Sequence, residues 1–189
     1  MNMTGLSGYK RIASTWIVLL VTSGMCLSIF FACVTPFAAL ATLAALNLSR
    51  REALAVVGLA WLANQIIGYA FLSYPWNWGS VAWGLAIGLS SSMAVLAARG
   101  LSTSRPAPLA VSLPFMAAFA AFESGLYVAG LVLSASEGAF SASVVGHVFL
   151  VNAASLCGLL AVYQLVMMSG LIGRRDELDL PKLGSALYR

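Results

Sequence analysis

A chain of 189 residues with 61% apolar and only 8% charged side chains cannot clothe a water-soluble surface, where about a quarter of residues are ordinarily charged. Its net charge of +4 is dispersed as short basic clusters between apolar runs. That pattern excludes a nucleic-acid-binding patch and leaves one helical membrane domain.

Charged residues cut the sequence into uncharged runs at 12–49, 53–98, 106–122, 124–136 and 138–173. A helix needs ~20 apolar residues to cross the hydrocarbon layer. The first run is too long for one crossing and holds Thr35-Pro36 near its middle, where proline disfavours helix in the residue before it. It divides into predicted helices at about 13–33 and 37–49. The second run contains Ser73-Tyr74-Pro75-Trp76-Asn77-Trp78-Gly79, a turn with interfacial aromatics, and divides into helices at about 53–72 and 79–98. Two more, at about 108–133 and 142–170, are separated by Ser134-Ala135-Ser136-Glu137-Gly138.

The expected fold class is therefore an all-α membrane protein: a six-transmembrane-helix bundle forming one domain over 1–173, with a charged tail over 174–189. With the N-terminus inside, Lys10, Arg11, Arg50, Arg51, Arg99, Arg105, Arg174, Arg175, Lys182 and Arg189 all fall on the cytoplasmic side and none outside, as the positive-inside rule demands. Both termini are expected in the cytoplasm and the protein in a bacterial cell inner membrane, crossing it several times. The second helix is short and is expected to tilt or to extend past Arg50. Lys10 and Arg11 before an apolar stretch look like the start of a signal peptide, but the stretch is too long for one, and the segment is expected to be retained. The sequon Asn47-Leu48-Ser49 falls in a cytoplasmic turn. Cys26, Cys33 and Cys157 lie inside apolar runs and are expected to be reduced, buried thiols.

No phosphate loop, paired-histidine metal motif or nucleophile elbow occurs, and there is one histidine. An enzyme, a cofactor and a metal site are not expected. Function is sought among polar groups within the bilayer, where an ionisable side chain is costly and marks a site by default. Foremost is Glu123, in Phe119-Ala120-Ala121-Phe122-Glu123-Ser124-Gly125-Leu126-Tyr127, with Tyr127 one turn on. Its carboxyl can hold a cationic or hydrogen-bonding substrate, a proton or a metal ion, or hydrogen-bond to a neighbouring helix.

Trp61, Asn64, Gln65 and Gly68 share one face of the third predicted helix. Amides so placed can recognise a polar heterocycle or tie helices together. His147 and Asn152 lie in the sixth, each a candidate ligand or a packing residue. Trp76 and Trp78, with Tyr74 and Trp83, flank the turn between the third and fourth helices, as an aromatic belt or as a stacking lid over a pocket. Small residues recur at three- or four-residue spacing: Gly24 and Ser28, then Ala38, Ala41 and Ala45, then Gly84 and Gly88. They permit close helix contact within the bundle or with a partner.

The stretch from Pro36-Phe37-Ala38-Ala39-Leu40 through Leu48-Ser49-Arg50-Arg51-Glu52-Ala53-Leu54 is similar to the small-residue second helix and basic cytoplasmic turn of the substrate-binding S components of energy-coupling-factor vitamin transporters. Length, helix count and an inward-facing Asn152 resemble that family too. Where its docking helix often carries AxxxA, this sequence has Gly24-Met25-Cys26-Leu27-Ser28. The resemblance implies binding and uptake of a vitamin or vitamin precursor, alone or with a membrane module driven by an ATPase. The predicted outer half holds Glu123, Glu137 and His147 and no Lys or Arg, which disfavours an anion. The expected substrate is a neutral or cationic heteroaromatic compound bound by Glu123, Asn64, Gln65, Trp61, Tyr127, Asn152, His147, Trp76 and Trp78. Two alternatives stay open: a structural or assembly subunit of a larger membrane complex, and a metal-ion permease.

Overall fold

The computed structural model describes residues 36–102, 107–133 and 138–168. Five helices fill them: α1 (Phe37–Asn47), α2 (Arg50–Ala70), α3 (Trp78–Gly100), α4 (Ala107–Leu133) and α5 (Ala142–Met168), with no strand among the described residues. They correspond to the second through sixth predicted helices. The predicted first helix at 13–33, the break at 134–137 and the tail at 174–189 lie outside the described residues, as do Cys26 and Cys33.

Helices α2 to α5 are each long and apolar enough to cross a membrane. Much of their surface is apolar and exposed. Leu59, Leu62 and Ile66 line one flank of α2, and Leu85, Leu89, Met93 and Leu96 one flank of α3. These one-sided apolar stripes are what lipid-facing helix surfaces require. The chain is thus a multi-pass helical protein by its length and composition.

Helix α1 is different in kind. Its 11 residues cover about 16 Å at 1.5 Å per residue, roughly half the hydrocarbon thickness. It stops at Asn47 and does not extend past Arg50, because Leu48 and Ser49 are extended (ψ 161° at both) and Ser49 opens the next helix. Every residue from Phe37 to Ala45 is buried. The run Phe-Ala-Ala-Leu-Ala-Thr-Leu-Ala-Ala-Leu-Asn combines high helix propensity with side chains small enough for neighbours to approach on all sides, and α1 packs against α2, α3, α4 and α5 alike. It is the axis of the described bundle.

A buried helix must satisfy its terminal backbone groups without water. Pro36, at the start of α1, has no side-chain cap to offer. Asn152, fully buried on α5, supplies one: its Oδ1 accepts from Ala38 N (3.1 Å) and Ala39 N (3.2 Å), while its Nδ2 donates to Val148 O (3.0 Å). At the other end Arg99, in the last turn of α3, donates from Nη1 to Ala45 O (3.1 Å) and Leu48 O (2.7 Å). An amide oxygen at the N-terminus and a guanidinium at the C-terminus both match the helix dipole.

Two internal junctions complete the frame. Ser49 and Glu52 form a reciprocal capping box that starts α2 three residues earlier than the predicted 53. At the far end of the α2–α3 hairpin, Ser73 takes φ 55°, Tyr74 N donates to Gly68 O, and Asn77 Oδ1 caps α3 by accepting from Ser80 N (2.8 Å). The most extensive helix pair is α3 with α4, which meet where Gly125 lies over Ser90. A methyl group on Gly125 would collide with that serine.

Candidate functional site

The residues singled out from sequence serve several different neighbours. Trp61 and Gln65 belong to the α2–α3 contact. Trp61 donates from Nε1 to Gly84 O (2.7 Å) and its ring lies over Gly88, so close that a Cβ there would stand 2.9 Å from the indole. The Gln65 side chain lies against Gly84 and its Nε2 donates to Asn64 Oδ1 (3.4 Å). Tyr74 covers Gly68 in the same way. The polar face of α2 and the Gly84/Gly88 gap of α3 are therefore two halves of one interface.

Asn152 is committed on both sides of its amide to the α1 start and to its own helix. Trp76 and Trp78 stand at the hairpin end, 82% and 78% exposed. Trp76 stacks on Tyr69 (4.6 Å between centroids), whose hydroxyl meets Ser80 Oγ at 3.2 Å. His147 is exposed on α5. Cys157 is exposed on α5 as well, contrary to the buried thiol expected from its apolar surroundings; hydrocarbon tolerates a weakly polar thiol about as well as a protein core does, so apolar sequence alone does not choose between them.

Glu123 and Tyr127 remain, on α4. Glu123 is half-buried, ten residues before the end of α4, and Asn152 lies ten residues after the start of α5. Both are thus about 15 Å from the far end of the bundle. The start of α1 reaches the same depth, since Phe37 packs on Phe122, the residue before Glu123, at 5.9 Å between centroids. A half-length helix ending midway, a buried amide and a carboxyl meet at one level. Among the described residues no hydrogen bond or ion pair reaches Glu123.

Aromatic rings frame this level. Phe119, one turn before Glu123, meets Phe149 of α5 edge-on (5.1 Å, 81°), and Phe149 also meets Phe115 (5.7 Å). Tyr127, one turn after, meets Phe140 (5.4 Å, 84°). Sequence reasoning missed Phe140, Phe149 and Gly146, which carry no spacing signal and become relevant only because α5 lies opposite α4. Ser155 Oγ, buried one turn beyond Asn152, has no hydrogen-bond partner among the described residues. No group of three His, Cys, Asp or Glu side chains comes together among them.

No protein-family model, curated protein or solved structure matches this chain.

Proposed function

We propose that this is a small-solute binding and uptake protein of the bacterial inner membrane, similar in plan to the S components of energy-coupling-factor vitamin transporters. It has six membrane segments, counting 13–33 and the half-length α1, and both termini in the cytoplasm. The observation that carries the reading is Glu123: a carboxyl at mid-depth with no hydrogen bond or ion pair among the described residues, beside the mid-depth start of a half-length helix. Carboxyls at that depth are costly and face a pathway or ligand, and interrupted or half-length helices ending at the midplane are where secondary transporters build substrate sites. The arginines at 50, 51 and 99 gather at one end of the described helices, which supports that end as cytoplasmic. The solute is a vitamin or vitamin precursor, a neutral or cationic heteroaromatic compound, delivered alone or with an ATPase-driven membrane module.

Native mass spectrometry of the protein extracted from its own membrane tests this. A retained heterocycle, lost from Glu123→Gln while the melting temperature is held, is the expected result. An empty protein held stoichiometrically in a large complex would overturn it in favour of an assembly subunit.

A further inference from the structure

We propose that the seam between α4 and α5 at the level of Glu123 binds an organic monocation, a protonated or quaternary amine with an apolar body the size of an aromatic ring. The inference rests on the solute-uptake reading and narrows its ligand to one charge class and its site to one seam.

Phe119, Glu123 and Tyr127 are spaced by four residues and stack along one flank of α4. Phe119 turns that flank toward α5 through Phe149, and Tyr127 reaches Phe140 in the turn just before α5. The two ring pairs are anchored eight residues apart on α4, about 12 Å along its axis, and Glu123 is midway between them. On α5, three residues before Phe149 and so on about the same face, is Gly146, where an added Cβ would meet nothing within 4 Å. The result is a bracket: one carboxyl, a ring pair above, a ring pair below, and a glycine with open space about it on the Phe149 face of α5. Tyr127 and Met116, on the outer side of the same flank, are 52% and 50% exposed, so the seam opens sideways toward lipid. His147, next to Gly146, is turned about 100° round α5 and is exposed.

The sign of the ligand follows from what the protein does not supply. No Lys or Arg occurs between 53 and 98 or between 106 and 173, so the described spans hold no internal cation at this level. A carboxylate in a low-dielectric setting is stable only when paired, and a ligand cation completes the pair. Over the face of a neighbouring ring, a diffuse, weakly hydrated ammonium also gains cation–π attraction. A bare metal ion is a poor fit, since it needs several oxygen or nitrogen donors and the described residues gather no such set.

The test uses the full chain in nanodiscs of zwitterionic lipid with radiolabelled benzyltrimethylammonium as probe. Saturable binding is expected, weakened at least tenfold by Glu123→Gln and by Gly146→Leu, which fills the seam, and unchanged by the lipid-facing Leu62→Ala. In the unmodified protein, excess neopentylbenzene, the neutral isostere, is expected not to displace the probe, so the charge requirement is read without relying on any variant. Absence of saturable binding, binding that survives Glu123→Gln, or displacement by neopentylbenzene would overturn the cation seam. A neutral heterocycle retained in native mass spectrometry alongside any of these would overturn the seam while leaving solute uptake standing; an empty protein in a large complex overturns both.

Discussion

Asn152 shows how much one buried polar side chain can organise. Its amide oxygen replaces the missing cap of a helix 113 positions earlier in the chain, and its nitrogen is satisfied locally, so the group is buried without an unmet hydrogen bond. Leaving the Ala38 and Ala39 N–H groups unsatisfied costs about 2–4 kcal/mol at ~1–3 kcal/mol each, allowing for partial relaxation. Asn152→Leu is therefore expected to lower the melting temperature in detergent sharply, and Asn152→Asp, which retains an acceptor at a helix N-terminus, to lower it less. Ser155 makes the opposite case. Its hydroxyl is buried and unpartnered among the described residues, so Ser155→Ala removes a desolvation penalty and is expected to leave the melting temperature unchanged or raise it; a clear fall would show that the hydroxyl has a partner.

The α2–α3 pair makes the corresponding point for an element. The glycines of α3 are not flexible joints but sockets, Gly88 for the Trp61 ring and Gly84 for Gln65. Gly88→Leu is expected to destabilise the protein by about 1–3 kcal/mol through overpacking, and Trp61→Phe in the same chain to recover part of that loss, a coupling visible in a double-mutant cycle of urea or thermal unfolding. Each half of this contact was legible in sequence, as a polar face on one helix and a small-residue face on the next. That they are each other's partner was not, because spacing fixes what shares a face and not what the face meets. The same limit explains the rest. Helix boundaries followed from Thr35-Pro36, the Ser73–Gly79 turn and the charge clusters, and the Ser49–Glu52 box was readable though the start at 53 overlooked it. The complete burial of α1 and its two distant caps follow only from packing. Glu123 and Tyr127 stood out as polar and periodic, whereas Phe140 in the turn before α5, and Gly146 and Phe149 within α5, look like any other apolar residues until α5 is set against α4.

For the molecule as a whole, the arginines of the α1–α2 turn and the α3 end gather at one pole and the aromatic hairpin with Trp76 and Trp78 at the other. Cysteine labelling with a membrane-impermeant maleimide, in a background lacking Cys26, Cys33 and Cys157, checks the orientation assigned to these poles. Ser102→Cys is expected to react only from the cytoplasmic side and Trp76→Cys only from outside; labelling of both from the same face would remove the proposed topology. Both positions are exposed, so failure to label reports sidedness rather than burial.

The clamped half-helix also sets an order of assembly. Residues 37–47 emerge from the ribosome long before residue 152, and an 11-residue segment is too short to rest in the bilayer with one end's amides bare. Until α5 is delivered, the chain must shelter that end against the insertion machinery or a chaperone. The last of the described helices is thus the one that licenses release of the first of them, and nascent chains arrested before position 152 are expected to remain crosslinkable to the insertase through residues 37–39, while chains arrested well past 168 are not.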